Sequence, residues 1–132
     1  MSPGPQVMDA TAKWLIKVAG EEVEGLVAAL PCGLRERARF VTVVMDPWPS
    51  DALVADGWEE DLLGMFMGQA EGVPWEDGAS LPPQILLFYE NLWDFAGEDE
   101  ADYRKEVRVT YLHELGHFLG LDEGEIEQRG LS

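Results

Sequence analysis

Apolar and polar positions repeat along this chain with two different periods, and the changes of period mark its elements. Between Met8 and about Leu30, the residues Trp14, Leu15, Val18, Ala19, Leu26, Val27 and Leu30 recur at helical spacing, with Lys13, Lys17, Glu21 and Glu24 between them. That pattern predicts an amphipathic helix ended by Pro31 and Gly33. A basic patch, Arg35, Arg37 and Arg39, leads into Phe40-Val41-Thr42-Val43-Val44-Met45, a β-branched run closed by Asp46-Pro47 that reads as a strand. Pro47, Pro49 and Ser50 make a turn, and Asp51 to Gly64 holds one or two helical turns around Trp58, Leu62 and Leu63. Residues Gly68 to Ser80, rich in Gly, Pro and acids, read as a surface loop. Gln84 to Tyr89 is a second strand. From about Glu98 to Leu119 the helical period returns through Tyr103, Val107, Tyr111, Leu112, Leu115, Phe118 and Leu119. The order helix–strand–helix–strand–helix predicts an α+β fold with α/β layers, a small few-stranded sheet packed on helices.

Length confines this to one domain spanning residues 1–132, with 1–7 as a flexible lead-in. A chain of this size buries enough surface to fold without disulfides. The single cysteine, Cys32, reads as a small buried or half-buried residue and not as a catalytic thiol. Nine basic against twenty-six acidic residues leave a net charge of −17. Such a surface repels phosphate backbones and anionic lipid, so nucleic acid and membranes are excluded as partners. The N-terminus lacks a basic n-region, and no apolar run approaches the roughly 20 residues of a membrane span, so a cytoplasmic protein is expected.

The chemistry sits in His113-Glu114-Leu115-Gly116-His117, near the C-terminus. Residues four apart on a helix share a face, about 5–6 Å apart at Cβ. His113 and His117 can therefore aim both imidazoles at one zinc ion. Glu114, turned about 100° from His113, stands off the ligand line, where a general base can meet a metal-bound water. Zinc lowers the pKa of that water to about 7, and Glu114 would take its proton during attack on a carbonyl. These two histidines are the only ones in the chain. The helix is apolar on its other side, through Leu112, Leu115 and Leu119, so they are not needed as core filler. The bland alternative is an exposed histidine pair with Gly120 as an ordinary helix stop; it explains each residue but not their coincidence.

A catalytic zinc needs a third protein ligand. Glu123, ten residues after His113, has the spacing of the third ligand in H-E-x-x-H-x-x-G-x-x-H proteins. Its competitor is Asp122, which with Glu125 also fits the N-cap of a short helix running to about Arg129. Glu106 and Thr110 share the histidine face and are candidates to orient an imidazole. Tyr89, Tyr103, Arg108 and Tyr111 are candidates to stabilise an oxyanion. No Met-turn follows the motif, and Met65 and Met67 read as core.

From the motif outward, the chain resembles the bacterial family of minimal zincin-like metallopeptidases. The parts that carry the resemblance are Val41–Pro47, Leu63-Gly64-Met65-Phe66, Ile85–Phe88 and Thr110–Asp122, in that order. It implies a minimal zincin fold with the motif helix near the C-terminus. The family pattern usually has Asp ten residues after the first His; here Glu123 holds that place, with Asp122 one position earlier.

Three readings of function follow. The first is a zinc-dependent peptidase holding one Zn²⁺ through His113, His117 and Glu123 (or Asp122), with Glu114 as general base and a peptide or protein as substrate. An extended peptide is expected on an exposed edge of the Gln84–Tyr89 strand. The second is a non-catalytic metal-binding interaction or regulatory domain that keeps the same site. A plain binding domain with an accidental motif would hold no metal. His₂-carboxylate ligation also suits Fe(II), and Glu114, useful only for activating water, tips the choice to zinc.

Overall fold

A computed structural model describes residues 10–68 and 82–120. Its elements are α1 (Ala10–Ala29), α2 (Cys32–Arg39), β1 (Thr42–Asp46), α3 (Asp51–Ala55), β2 (Gly64–Met67), β3 (Gln84–Phe88), α4 (Tyr89–Phe95) and α5 (Glu100–Phe118). The expected α+β architecture is present, with five helices around a three-stranded sheet among the described residues. The expected lead-in at 1–7, the loop at 68–80 beyond Gly68 and the short helix at 122–129 lie outside the described residues.

The sheet order is β1-β3-β2, with β1 parallel and β2 antiparallel to β3. Strand β3 is therefore central. This explains why Ile85, Leu86, Leu87 and Phe88 are apolar without alternation, since both faces of a central strand are covered. The order also overturns the expectation that the Gln84–Tyr89 strand offers a free edge: β3 is paired on both sides, and the edges are β1 and β2. On one face, Val43, Met45, Ile85, Leu87 and Phe66 meet α1 and α5. On the other, Val44, Leu86, Phe88, Met65 and Met67 form a smaller cluster with Leu53 and Leu62, as expected of core methionines.

Helices α1 and α5 are the main cover. Leu15, Val18 and Ala19 of α1 and Tyr103, Val107, Tyr111, Leu115 and Phe118 of α5 are buried together. Trp14, Trp93 and Tyr103 cluster where α1, α4 and α5 meet, with ring centroids 5.4 to 6.4 Å apart and Trp93 edge-on to the other two. The Tyr103 hydroxyl donates a hydrogen bond of 2.8 Å to the carbonyl of Leu15. On the outer side of this contact, Arg108 reaches Glu22 at 2.9 Å and Arg104 bonds Glu100 at 3.0 Å.

Three elements depart from the expected order. The basic patch lies on a two-turn helix, α2, that buries only Ala38. Cys32 begins it and is exposed, contrary to expectation, because the first turn of α2 projects into solvent. Tyr89, expected to end the strand, instead starts α4. That helix stops at Gly97 and Glu98, both with positive φ (69° and 59°), which turn the chain into α5. Finally, β2 is a strand that a four-residue segment beginning with glycine hardly announces.

Candidate metal centre

Helix α5 is launched by Asp99, whose side chain accepts from the Asp102 amide at 2.9 Å. Glu100 and Asp102 in the first turn suit the helix dipole. The burial of one apolar stripe fixes the rotation of α5 about its axis, and with it the direction of the motif. The buried stripe runs through Tyr103, Val107, Tyr111, Leu115 and Phe118, leaving His113 and His117 half-buried at its margin.

The two imidazoles converge. Their Nε2 atoms are 3.2 Å apart, with ring centroids 4.8 Å apart and planes inclined by 81°. Two nitrogens held at about 2.0–2.1 Å by a tetrahedral zinc would lie roughly 3.3–3.4 Å from one another. The donor pair thus already has the spacing that one such ion requires. Donor atoms of His113, Glu114 and His117 all lie within 4.8 Å of one another. A converging pair of imidazoles with an adjacent carboxylate suits a borderline-soft dication.

Strand β2 runs beside this turn of the helix. A Cβ on Gly64 would lie 2.7 Å from the Thr110 methyl and 2.9 Å from the Leu86 carbonyl oxygen, so only glycine lets the strand come this close. Two residues on, the Phe66 ring packs on Phe118 at 5.9 Å. Thr110, Glu114 and Phe118 form one row at four-residue spacing, so β2 lies on the side of α5 that carries Glu114. The approach to β2 is pinned by Asn91 of α4, whose amide donates to the carbonyls of Glu60 (2.7 Å) and Leu62 (2.9 Å). Gly64, Phe66 and Asn91 were not singled out as site residues from sequence. The one available signal was the Leu-Gly-Met-Phe segment, whose role depends on a contact with α5 nearly fifty positions away.

The remaining candidates fare differently. Glu123 and Asp122 lie outside the described residues. Thr110 is buried with its methyl against Gly64, and Glu106 is half-buried. Tyr89, Tyr103 and Tyr111 are all core residues. Burial pushes the Tyr111 phenol up to about 12, and burial together with the Glu90 carboxylate raises Tyr103 as well. Arg108 is committed to Glu22. The three tyrosines are thus held in the core, and Arg108 is held by its ion pair.

The model of the zincin-like metallopeptidase family matches residues 38–131, from the end of α2 through the motif helix and beyond. The protein belongs to the zincin-like metallopeptidase family. No match is found among curated proteins. Among the described residues, no helix is long and apolar enough to cross a membrane.

Proposed function

We propose that this protein is a zinc-dependent peptidase whose ion is held by His113, His117 and Glu123, with Asp122 as the alternative third ligand, and whose general base is Glu114. The observation that carries the reading is the convergence of the two Nε2 atoms, 3.2 Å apart, beside the Glu114 carboxylate. Bound there, zinc would acidify a water molecule and polarise an amide carbonyl. Glu114 takes the proton of the attacking water and returns it to the departing amine nitrogen, so it acts first as base and then as acid.

Substrate placement falls to β2. The antiparallel ladder alternates, and the Phe88 amide bonds the Leu63 carbonyl at 3.0 Å. The amides and carbonyls of Gly64 and Phe66 consequently face away from β3. An extended peptide pairing with that edge would run past the Glu114 row of α5. The acidic surface and the strand-like binding mode favour a peptide over nucleic acid or a lipid surface.

The test is Glu114→Gln in the purified chain loaded with zinc. The expected result is zinc retained at one per chain and hydrolysis of an unstructured protein substrate reduced by a factor of about 10² or more. A variant that keeps zinc and the parent rate would remove Glu114 from the chemistry. A parent chain that holds zinc but cleaves none of a broad peptide library would favour the non-catalytic metal-binding domain.

A further inference from the structure

The second edge of the sheet, β1, has features that the metal site does not use. The Thr42 amide donates to the Pro83 carbonyl at 3.2 Å. In a parallel ladder this sets Thr42, Val44 and Asp46 toward β3 and leaves the amides and carbonyls of Val43 and Met45 on the outer side. Among the described residues no strand pairs with them. An apolar edge strand is usually blunted by a lysine, a proline or a bulge. Thr42-Val43-Val44-Met45 contains none of these, and the only charge, Asp46, and the nearest proline, Pro47, stand at its far end.

The surroundings of β1 are apolar as well. A groove of about 470 Å³ lies along it, its floor made mostly by Val23, Val27, Val41, Val43 and Tyr111, with Glu24 and Arg39 also in its lining. Large exposed aromatics flank the strand on both sides in sequence, Phe40 at 68% exposure and Trp48 at 59%. Charge is graded along the same path: Arg35, Arg37 and Arg39 precede β1, while Asp46, Asp51 and Asp56 end and follow it.

We infer that β1 is the docking edge for a second copy of this chain, paired antiparallel about a two-fold axis at Val44. Such an axis sets Val43 opposite Met45 of the second copy, and these are the residues whose backbone groups point outward. Four inter-chain hydrogen bonds result, and the two three-stranded sheets become one of six strands. The same register places Thr42 opposite Asp46 of the second copy and brings the arginine-rich, Phe40 end of each strand to the acidic, Trp48 end of the other. This self-complementarity of charge favours a second copy over an unrelated strand. The two apolar grooves then lie on the same face of the joined sheet, on either side of the axis. The dimer edge is β1 and the metal-flanking edge is β2, at opposite sides of β3, so this inference stands apart from the proposed activity.

The experiment is sedimentation velocity on the full chain across a wide concentration range, with the parent beside Thr42→Asp and Thr42→Lys. Thr42 is exposed, so both variants keep the fold, which circular dichroism checks. The expected parent behaviour is a reversible species of twice the 14.7 kDa chain mass. Thr42→Asp places like charges opposite each other twice per dimer and weakens it about tenfold, whereas Thr42→Lys, opposite Asp46, holds it at least as tightly as the parent. A parent that stays monomeric up to about millimolar concentration, where the weakest specific contacts fall, overturns the inference. A dimer equally insensitive to both substitutions overturns it too, because its interface must then lie elsewhere.

Discussion

Gly64→Ala tests the contact on which the site geometry depends. The added methyl would sit 2.7 Å from the Thr110 Cγ2 atom and 2.9 Å from the Leu86 carbonyl oxygen. Carbon atoms prefer about 3.5–4.0 Å, so the first overlap is close to 1 Å. The Thr110 methyl belongs to a buried, β-branched side chain with few alternative rotamers, and the Leu86 oxygen is backbone of the central strand. The oxygen cannot yield without moving β3, and the methyl can yield only by a rotamer change inside the packed core. Overpacking of this kind costs about 1–3 kcal/mol, and two simultaneous overlaps point to the upper half of that range. The assay is urea unfolding of the metal-free protein with and without Thr110→Ser, which deletes the methyl. Removing one of two overlaps should return about half of the loss, seen as a coupling of about 1 kcal/mol between the two substitutions. A loss below about 0.5 kcal/mol for Gly64→Ala, within the range of ordinary surface changes, would refute the close approach of β2 to α5.

Five further outcomes follow from the same structure. Elemental analysis should find about one zinc per chain in the parent and almost none in His117→Ala. Excess zinc, at a thousand times its dissociation constant, should stabilise the parent alone by about 4 kcal/mol. Burial raises Tyr111 to about 12 from an ordinary 10.0, so the unfolded chain releases this proton at lower pH than the folded one. Its stabilising effect is complete below pH 10 and is lost as pH rises toward 12, and Tyr111→Phe should flatten that limb of the stability curve. Tyr103→Phe, which deletes the buried bond to the Leu15 carbonyl, should cost about 1 kcal/mol in chemical denaturation. Arg108→Ala, which breaks a partly exposed pair with Glu22, should cost less than about 1 kcal/mol.

The sequence by itself determined the long helices, two of the strands and the motif. In α1 and α5 the apolar stripe is sustained over several turns, and local spacing alone orients His113 and His117 on one face of α5. β1 and β3 are continuous β-branched or apolar runs, legible without knowing their neighbours. The shorter elements were not legible, for a common reason: α2, α4 and β2 hold their conformation through contacts with distant residues. β2 is a strand because β3 pairs with it and because Gly64 admits it against Thr110. α4 begins at Tyr89 because Tyr89 and Leu92 are drawn into the core that Tyr103 shares. Strand order, too, is a property of the whole. Gln84–Phe88 looked like an available edge from its own residues, and only the pairing of β1 on one side and β2 on the other made it the centre. Periodicity records which way a side chain faces its own element; which element lies opposite is decided by long-range packing, and that decision set β2, not β3, beside Glu114.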